Sequence, residues 1–407
     1  MEHFSFLLGS GFSIPFGYYS TPELNNILCS VKKNDIQVHT SGNARFLFGE
    51  EDPNGWFTRT REKRFVEEFL NFYNTEIIPN QNFHYEKFFD YYSELRRSEG
   101  DLEKFNEFVS KFNEQEEFKY DGQQLLFEFN EIFQQLLAQL LTKWVESVSY
   151  VEPYHSQYKN FFYLLKNISD EFKIHIHTLN HDLLMEQFSH SDVIGNNFSD
   201  GFEELGSPYY GKYSLETPVR ELDEVIRKVF TYTVRLRRFT NEYSNKFCLY
   251  KLHGSIDNFA YHIGDDEFET IKLLRGVNPF ELLHESTKDG KIVYESSMIN
   301  LYPEFLSGTL EKTRFYKQKR YFKPIFHHFE NNLKNSDYLI IIGYGCGDEE
   351  INKIIIEHFL SKNNSKIIMI GKSKPECTIT SHERVKYYDK GIEGLKIDEI
   401  KSFFGID

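Results

Sequence analysis

Four short segments carry residue types that could do chemistry. The first, LLGSGFS at 7–13, runs an apolar stretch into Gly9, Ser10, Gly11 and Ser13. Glycines at a strand-to-helix turn let backbone N–H groups approach a pyrophosphate, and small hydroxyls add donors. A dehydrogenase-type dinucleotide fingerprint asks for a third glycine where Ile14 stands and for an acidic residue about 20 residues further on, and neither is found. By itself the segment reads equally well as a tight turn. The second segment is Thr178, Leu179, Asn180, His181, Asp182, at the end of an apolar run and the start of a helical one. Polar side chains there converge on the crevice in which open α/β sheets bind ligands. Asn180 offers a hydrogen-bonding amide, and Asp182 is either a site carboxylate or a helix cap. The third, Lys251-Leu252-His253-Gly254-Ser255, supplies a histidine that is either a base or a satisfied structural residue, with Gly254 marking a close approach of backbone or ligand. The fourth, IIIGYGCGDEEIN at 340–352, combines a turn of Gly343, Gly345 and Gly347 with Asp348, placed to cap the helix that carries Asn352.

These segments need elements to position them. Short apolar runs ending in Gly, Asn or His lie at 4–8, 173–178, 247–252, 338–343, 366–371 and 384–388, the pattern of buried parallel strands feeding loops. Helical patterns follow several of them, at 22–30, 182–187, 348–361 and 392–404. Strand, loop, helix, strand is the grammar of a doubly wound parallel α/β sheet. Between about 60 and 170 the period changes to three and four residues, with Phe129, Ile132, Phe133, Leu136, Leu140 and Trp144 on one stripe. The expected fold is thus a Rossmann-like α/β sheet, 1–58 and 171–407, interrupted by an all-helical insertion at 59–170. The stretch 256–312 has weak periodicity and reads as an irregular insertion or lid.

Composition sets limits. The formal net charge of −15 repels phosphate backbones and argues against nucleic-acid binding. Cys29, Cys248, Cys346 and Cys377 are too scattered for a CxxC pair, so neither a zinc ribbon nor a disulfide framework is expected. Residues 1–8 lack a basic region, and no window reaches the ~18 apolar residues of a membrane span, so the expectation is a cytoplasmic chain. The 40 Phe and 26 Tyr against alanine at 44, 138 and 260 alone could be stacking platforms, but read more simply as core residues of a compositionally biased sequence. The His175 and His177 alternation, with His181 and Asp182 nearby, raises a metal site that no further clustered ligands complete. His327 and His328 read as helix surface, and the basic, aromatic stretch at 314–323 reads as the solvated start of a helix rather than a partner patch.

Taken in order, the four segments resemble the signature of the sirtuin family: a glycine loop with a serine, Thr-x-Asn-x-Asp, Leu-His-Gly-Ser, and a Gly-rich strand end. The resemblance covers roughly 1–30 and 170–390. It implies a Rossmann-like NAD-binding domain, with Gly9, Ser10, Gly11 and Ser13 at the dinucleotide phosphates and Asn180, Asp182 and His253 around the nicotinamide ribose. Thr178, Gly343, Gly345 and Asp348 belong to the same cofactor-binding set, and Gly371 falls at the adenosine-ribose position, where many relatives carry Asn. Two departures narrow the reading. The first cysteine after His253 is Cys346, so the paired-CxxC zinc module of the deacylases is missing, and Pro15 is followed by Phe16, Gly17 and Tyr18 rather than Asp-Phe-Arg. Both resemble the bacterial sirtuin-like branch that hydrolyses NAD in anti-phage defence.

That resemblance implies an NAD+ hydrolase releasing nicotinamide and ADP-ribose, with no metal. Nicotinamide leaves as a neutral molecule from a cationic precursor, so cleavage needs an oriented water and stabilisation of an oxocarbenium-like ribose. Asn180 would orient the water or a ribose hydroxyl, Asp182 would face the developing cation, and His253 would accept a proton. A non-catalytic NAD or ADP-ribose sensor is the alternative, and a protein deacylase a more remote one. The resemblance also implies control by assembly, as a homo-oligomer or beside a HerA-type hexameric ATPase, with 59–170 as the candidate assembly surface.

Overall fold

The computed structural model describes residues 2–51, 57–142, 152–221, 224–262, 268–274, 276–297, 299–305 and 321–406. Among them, seven strands form one parallel sheet: β1 (Glu2–Leu8), β2 (Phe172–Thr178), β3 (Phe198–Ser199), β4 (Phe247–Lys251), β5 (Ser336–Ile342), β6 (Lys366–Ile370) and β7 (Val385–Tyr388), in the order β7-β6-β5-β1-β2-β4-β3. All six apolar runs are therefore strands of one doubly wound sheet. The seventh, β3, is two residues long and has no signal in the sequence. The chain winds outward from β1 in both directions, which makes β1 the point where the strand order reverses and where open sheets bind ligands.

The strands are continuous in apolar residues because both faces are covered. One face sets Phe4, Phe6, Leu8, Ile174, Ile176 and Ile340 against Tyr158, Phe161 and Leu165 of the helix Glu152–Ile168 and against Phe404 of the helix Ile397–Phe404. The opposite face sets Leu7, Tyr250, Leu339 and Ile341 against Phe322, Ile325 and Phe329 of the helix Phe322–Asn335 and against Ile351 and Ile355 of the helix Glu349–Ile355. Each fully buried side chain of this size contributes about 1.5–3 kcal/mol of transfer free energy. The last helix opens at Ile397, later than the expected 392, because Ile392–Gly394 forms a separate 3-10 turn.

The helices Thr60–Phe72, Tyr85–Arg96, Leu102–Asn113 and Gly122–Thr142 build a second core around Phe65, Phe69, Phe88, Phe129 and Phe133. Its rings meet edge to face, Phe69 on Phe129 at 5.0 Å and Phe88 on Phe129 at 5.7 Å, the geometry their quadrupoles favour. Much of the aromatic surplus is thus packing. Leu24 and Leu28 of the helix Thr21–Cys29 join the same core, tying the segment after the first glycine turn to the helices. Of the expected stripe, Phe129, Ile132, Phe133, Leu136 and Leu140 are buried, and Trp144 lies outside the described residues.

The stretch expected to be irregular is instead antiparallel. Asn258–His262 and Phe268–Lys272 join Arg237–Phe239 and Phe202–Glu203 in one four-stranded sheet. Val277–Lys288 and Lys291–Ser297 join Tyr209–Glu221 and Glu224–Arg235 in another. Much of this second sheet faces solvent, with Val229, Ile292 and Tyr294 all more than half exposed, so its strands lack the apolar alternation that would announce them. Positions 314–320 of the basic stretch lie outside the described residues, whereas Tyr321 and Phe322 are buried beneath the sheet and Lys323 is exposed. No helix of the described residues is long and apolar enough to cross a membrane.

Candidate active site at the carboxyl edge of the sheet

Register explains why the four segments meet. Leu8 pairs with both Thr178 and Ile342, Thr178 pairs with Lys251, and Ile342 pairs with Ile370. The strand ends are level, so Gly9, Leu179, Leu252 and Gly343 leave the sheet at one height. They open on a cavity of about 600 Å³, the size range of small-molecule and cofactor sites. Gly9, Ser10, Ser13, Asn180, Asp182, His253, Gly343, Gly345 and Asp348 line it.

The glycines serve packing as much as access. A Cβ on Gly9 would stand 2.6 Å from the Gly343 carbonyl, and one on Gly343 would stand 2.4 Å from the Gly11 carbonyl carbon, with Gly343 also at φ +66°. Gly9 N–H and Gly11 N–H donate to the carbonyls of Ile342 and Gly343, at 2.9 and 3.0 Å. These two amides hold the turns after β1 and β5 together and do not face a ligand. Gly11 and Thr178 stand behind the cavity lining, and Gly371 stands apart from it, its carbonyl accepting from the Tyr387 hydroxyl at 2.7 Å. Gly345 and Gly347 differ from these: a Cβ there would meet nothing within 4 Å, so their bareness leaves the wall open.

Asn180 is the most constrained polar group. Its Nδ2 donates to the Gly9 carbonyl and to Ser13 Oγ, both at 2.9 Å, while its backbone N–H donates to Thr178 Oγ1 at 3.0 Å. A backbone carbonyl can only accept, so the atom facing Gly9 must be the amide nitrogen, and Oδ1 is left as a fixed acceptor. Across the cavity, His253 Nε2 lies 3.3 Å from Asp348 Oδ2. Asp348 is itself held: Oδ1 accepts from the N–H groups of Glu350 and Ile351 at the helix start, and its carbonyl lies 2.9 Å from the Tyr344 hydroxyl. Burial, then the Asp348 charge, raises the Tyr344 pKa and keeps it a donor. Gly254, at φ +78°, lets the backbone of Glu304 and Phe305 pack directly against it and so sets the level of His253.

Asp182 caps its own turn, Oδ1 accepting from Leu184 N–H at 3.0 Å, and its carbonyl accepts from the buried Lys251 ammonium. Lys251 and Lys272 both reach Glu186, at 3.4 and 3.3 Å, and Lys272 reaches Asp200 at 2.9 Å. Burial works against the Asp200 charge, but Lys272 and Arg237 outweigh it and hold the carboxyl at about 2. This buried network fastens the Asp182 loop to the antiparallel sheet.

His175 and His177 are not part of the site. Both lie within the sheet, His175 bonded to His3 at 2.7 Å and to Tyr250 at 3.2 Å, His177 to the Phe6 carbonyl at 2.9 Å and to Asn332 at 3.1 Å. Burial above all pushes them down to about 2 and about 3, so they are neutral structural residues. His181 is separated from them: it lines the cavity, its ring 6.1 Å from that of His253. No group of three His, Cys, Asp or Glu side chains with metal-binding geometry occurs among the described residues. His327 is exposed on its helix, as expected, while His328 is half-buried and bonded to Asn241 at 3.0 Å.

The rest of the wall has no sequence signal. His84, Tyr85, Glu86 and Lys87 at the start of a helix, with Leu141 at the end of another, close the cavity opposite the sheet, and Tyr18 and Tyr19 complete it. Only long-range packing brings them there. The lining holds five carboxylates, Glu86, Asp182, Asp348, Glu349 and Glu350, and one lysine, Lys87, a balance that favours a ligand with a cationic portion.

No protein-family model matches the chain. No curated protein matches it. Among solved structures, one described as a Sir2 homologue–NAD complex is similar over 99% of this chain and 89% of its own, at 10% identity and a TM-score of 0.37.

Proposed function

We propose that the chain is an NAD+ glycohydrolase that cleaves the bond between nicotinamide and ribose to give nicotinamide and ADP-ribose. The observation that carries this reading is the pair of polar groups fixed in one cavity: Asn180, both of whose amide hydrogens are used by Gly9 and Ser13, and His253, braced by Asp348. A passive pocket has no need of an acceptor locked in this way. Asn180 Oδ1 would hold a ribose hydroxyl or the attacking water. As the C–N bond breaks, its electron pair leaves with nicotinamide, and the acidic lining, with Asp182 nearest the Asn180 loop, favours the cationic sugar left behind. Water adds to the anomeric carbon and gives up a proton, for which His253 is the candidate acceptor. The ordered set of sequence segments similar to the sirtuin signature supports NAD+ as the substrate.

The test is nicotinamide release by purified protein. Asn180→Ala and His253→Ala are each expected to lower it by about 10²–10³, the usual cost of removing an orienting amide or an acid–base group. NAD+ binding with no release under any condition would instead support the sensor reading. The role proposed on the same resemblance is depletion of NAD during anti-phage defence, controlled by assembly as a homo-oligomer or with a HerA-type hexameric ATPase, with the helical region 59–170 as the contact surface. Native mass spectrometry showing a strict monomer, alone and with such a partner, would remove that part.

A further inference from the structure

Cys346 lies between Gly345 and Gly347, both of which line the cavity, in a left-handed backbone conformation (φ +57°) that few non-glycine residues adopt. Its Sγ is 2.7 Å from the Sγ of Cys377, which follows β6 in a compact turn where Thr380 Oγ1 accepts from Cys377 N–H at 3.3 Å and lies 2.9 Å from the Cys377 carbonyl. Both cysteines are half-buried, so small reagents can reach them. Cys29 and Cys248 have no such neighbour: their thiols face the backbone carbonyls of Asn26 and Asn245, at 3.4 and 3.1 Å.

We infer that Cys346 and Cys377 are a redox-active dithiol, and that forming their disulfide pins the Gly343–Asp348 wall of the cavity. The thiols are unequal. Burial, then Cys377, pushes the Cys346 thiol up; burial also opposes ionisation of Cys377, but hydrogen bonds from Cys346 and the Thr380 turn outweigh it and bring that thiol down. Cys377 is therefore the nucleophile of the pair. With a peroxide as oxidant, the Cys377 thiolate attacks one oxygen, the O–O bond breaks, and a sulfenic acid forms as one water is released. Cys346 sulfur then attacks the sulfenic sulfur, the S–S bond forms, and the second water leaves. Two electrons pass from the sulfurs to the peroxide, and a dithiol reductant returns them. In the reduced wall, open space lies where a side chain on Gly345 or Gly347 would sit, Asn352 Nδ2 donates to the Cys346 carbonyl, and the Tyr344 hydroxyl donates to Asn352 Oδ1. The disulfide adds a covalent tie two residues from the carboxylate that braces His253.

The chemistry of the pair stands on this geometry; its bearing on nicotinamide release rests on the proposed NAD+ reading. The experiment treats the full chain with hydrogen peroxide and maps peptides without reduction. A Cys346–Cys377 cross-link is expected, lost with dithiothreitol and absent in Cys377→Ser. Amide exchange across 343–348 should slow about tenfold in the oxidised wild type and be unchanged in the variant. Alkylation of both thiols after peroxide, cross-links to Cys29 or Cys248 instead, or a cross-link that leaves exchange unaltered would each overturn the inference. Nicotinamide release is measured on the same samples. Zero release from both redox forms would count against the NAD+ reading while leaving the cross-link and exchange results to decide the dithiol.

Discussion

The central parallel sheet and the antiparallel sheet built on Tyr209–Glu221 draw on the same stock of Val, Ile, Phe and Tyr and spend it differently. In the first, Phe4, Phe6, Ile174 and Ile340 are wholly inaccessible, sandwiched between helices on both faces. In the second, Val229, Tyr232, Ile292 and Tyr294 are more than half exposed. Residue type does not separate the two regions; cover does. Where both faces are covered, the loops leave level strand ends and pack backbone to backbone, and the candidate site is built there. Where one face is open, Tyr209, Val277 and Leu282 still pack into a small cluster with Tyr261 and Ile271, and the outward residues can change with little effect on it.

Substitution of matched residues breaks or sharpens this contrast. The largest effect is expected at Gly343→Ala, where the new Cβ meets backbone atoms of Gly11 and Phe12 at 2.4 Å. Neither neighbour can rotate away, so expression should give no cooperative unfolding transition. Gly290→Ala, at a hairpin tip with nothing within 4 Å and φ +73°, should cost about 1 kcal/mol by urea denaturation. Next comes Phe6→Ala, expected to lose about 3–5 kcal/mol through cavity formation, against about 0.5 kcal/mol or less for the exposed Val229→Ala. Equal losses at the two positions would show that the antiparallel sheet has cover after all.

Acid sensitivity should also belong to the parallel sheet. His177 is held at about 3, below the ordinary histidine value of 6.5, chiefly by burial. Below pH 6.5 the unfolded chain binds a proton that the folded chain refuses, so stability falls as pH drops from 6.5 toward 3, by up to about 1.4 kcal/mol per pH unit for this one residue. His177→Gln, which can keep an amide near the Phe6 carbonyl, should lessen the slope of the urea midpoint across that window, the buried His175 keeping its own share. The smallest expected change is Gly345→Ala, which meets nothing within 4 Å and should leave the unfolding midpoint within experimental scatter while narrowing the cavity mouth, visible as a raised KM for NAD+ on the proposed reading.

How much of this was legible follows the same division. The parallel strands could be read because cover on both faces demands an unbroken apolar run, and a glycine, asparagine or histidine ends each of the runs that carry the site. The convergence of Asn180, His253 and Asp348 was readable too, because level strand ends deliver their loops to one edge. The antiparallel strands between 202 and 297 could not be read by period, since solvent on one or both faces relaxes the pattern. The cavity wall from His84 to Lys87 could not be read at all: nothing local distinguishes a helix start that faces a cavity from one that faces water. Gly9 and Gly11 were legible as a special turn, but their amides bond to Ile342 and Gly343, a contact between chain segments more than 300 residues apart.

That separation bears on when the protein becomes competent. Ser5 of β1 touches Ser336 of β5 across 331 residues of chain. β1 gains its first neighbour, β2, about halfway through that stretch, but at a translation rate of about 5–20 residues per second it waits on the order of 15–70 s before its second partner, β5, emerges from the ribosome. The Gly343 wall is made later still. Whatever reaction the cavity carries out must wait until synthesis has passed Glu350, the last residue of its lining in chain order.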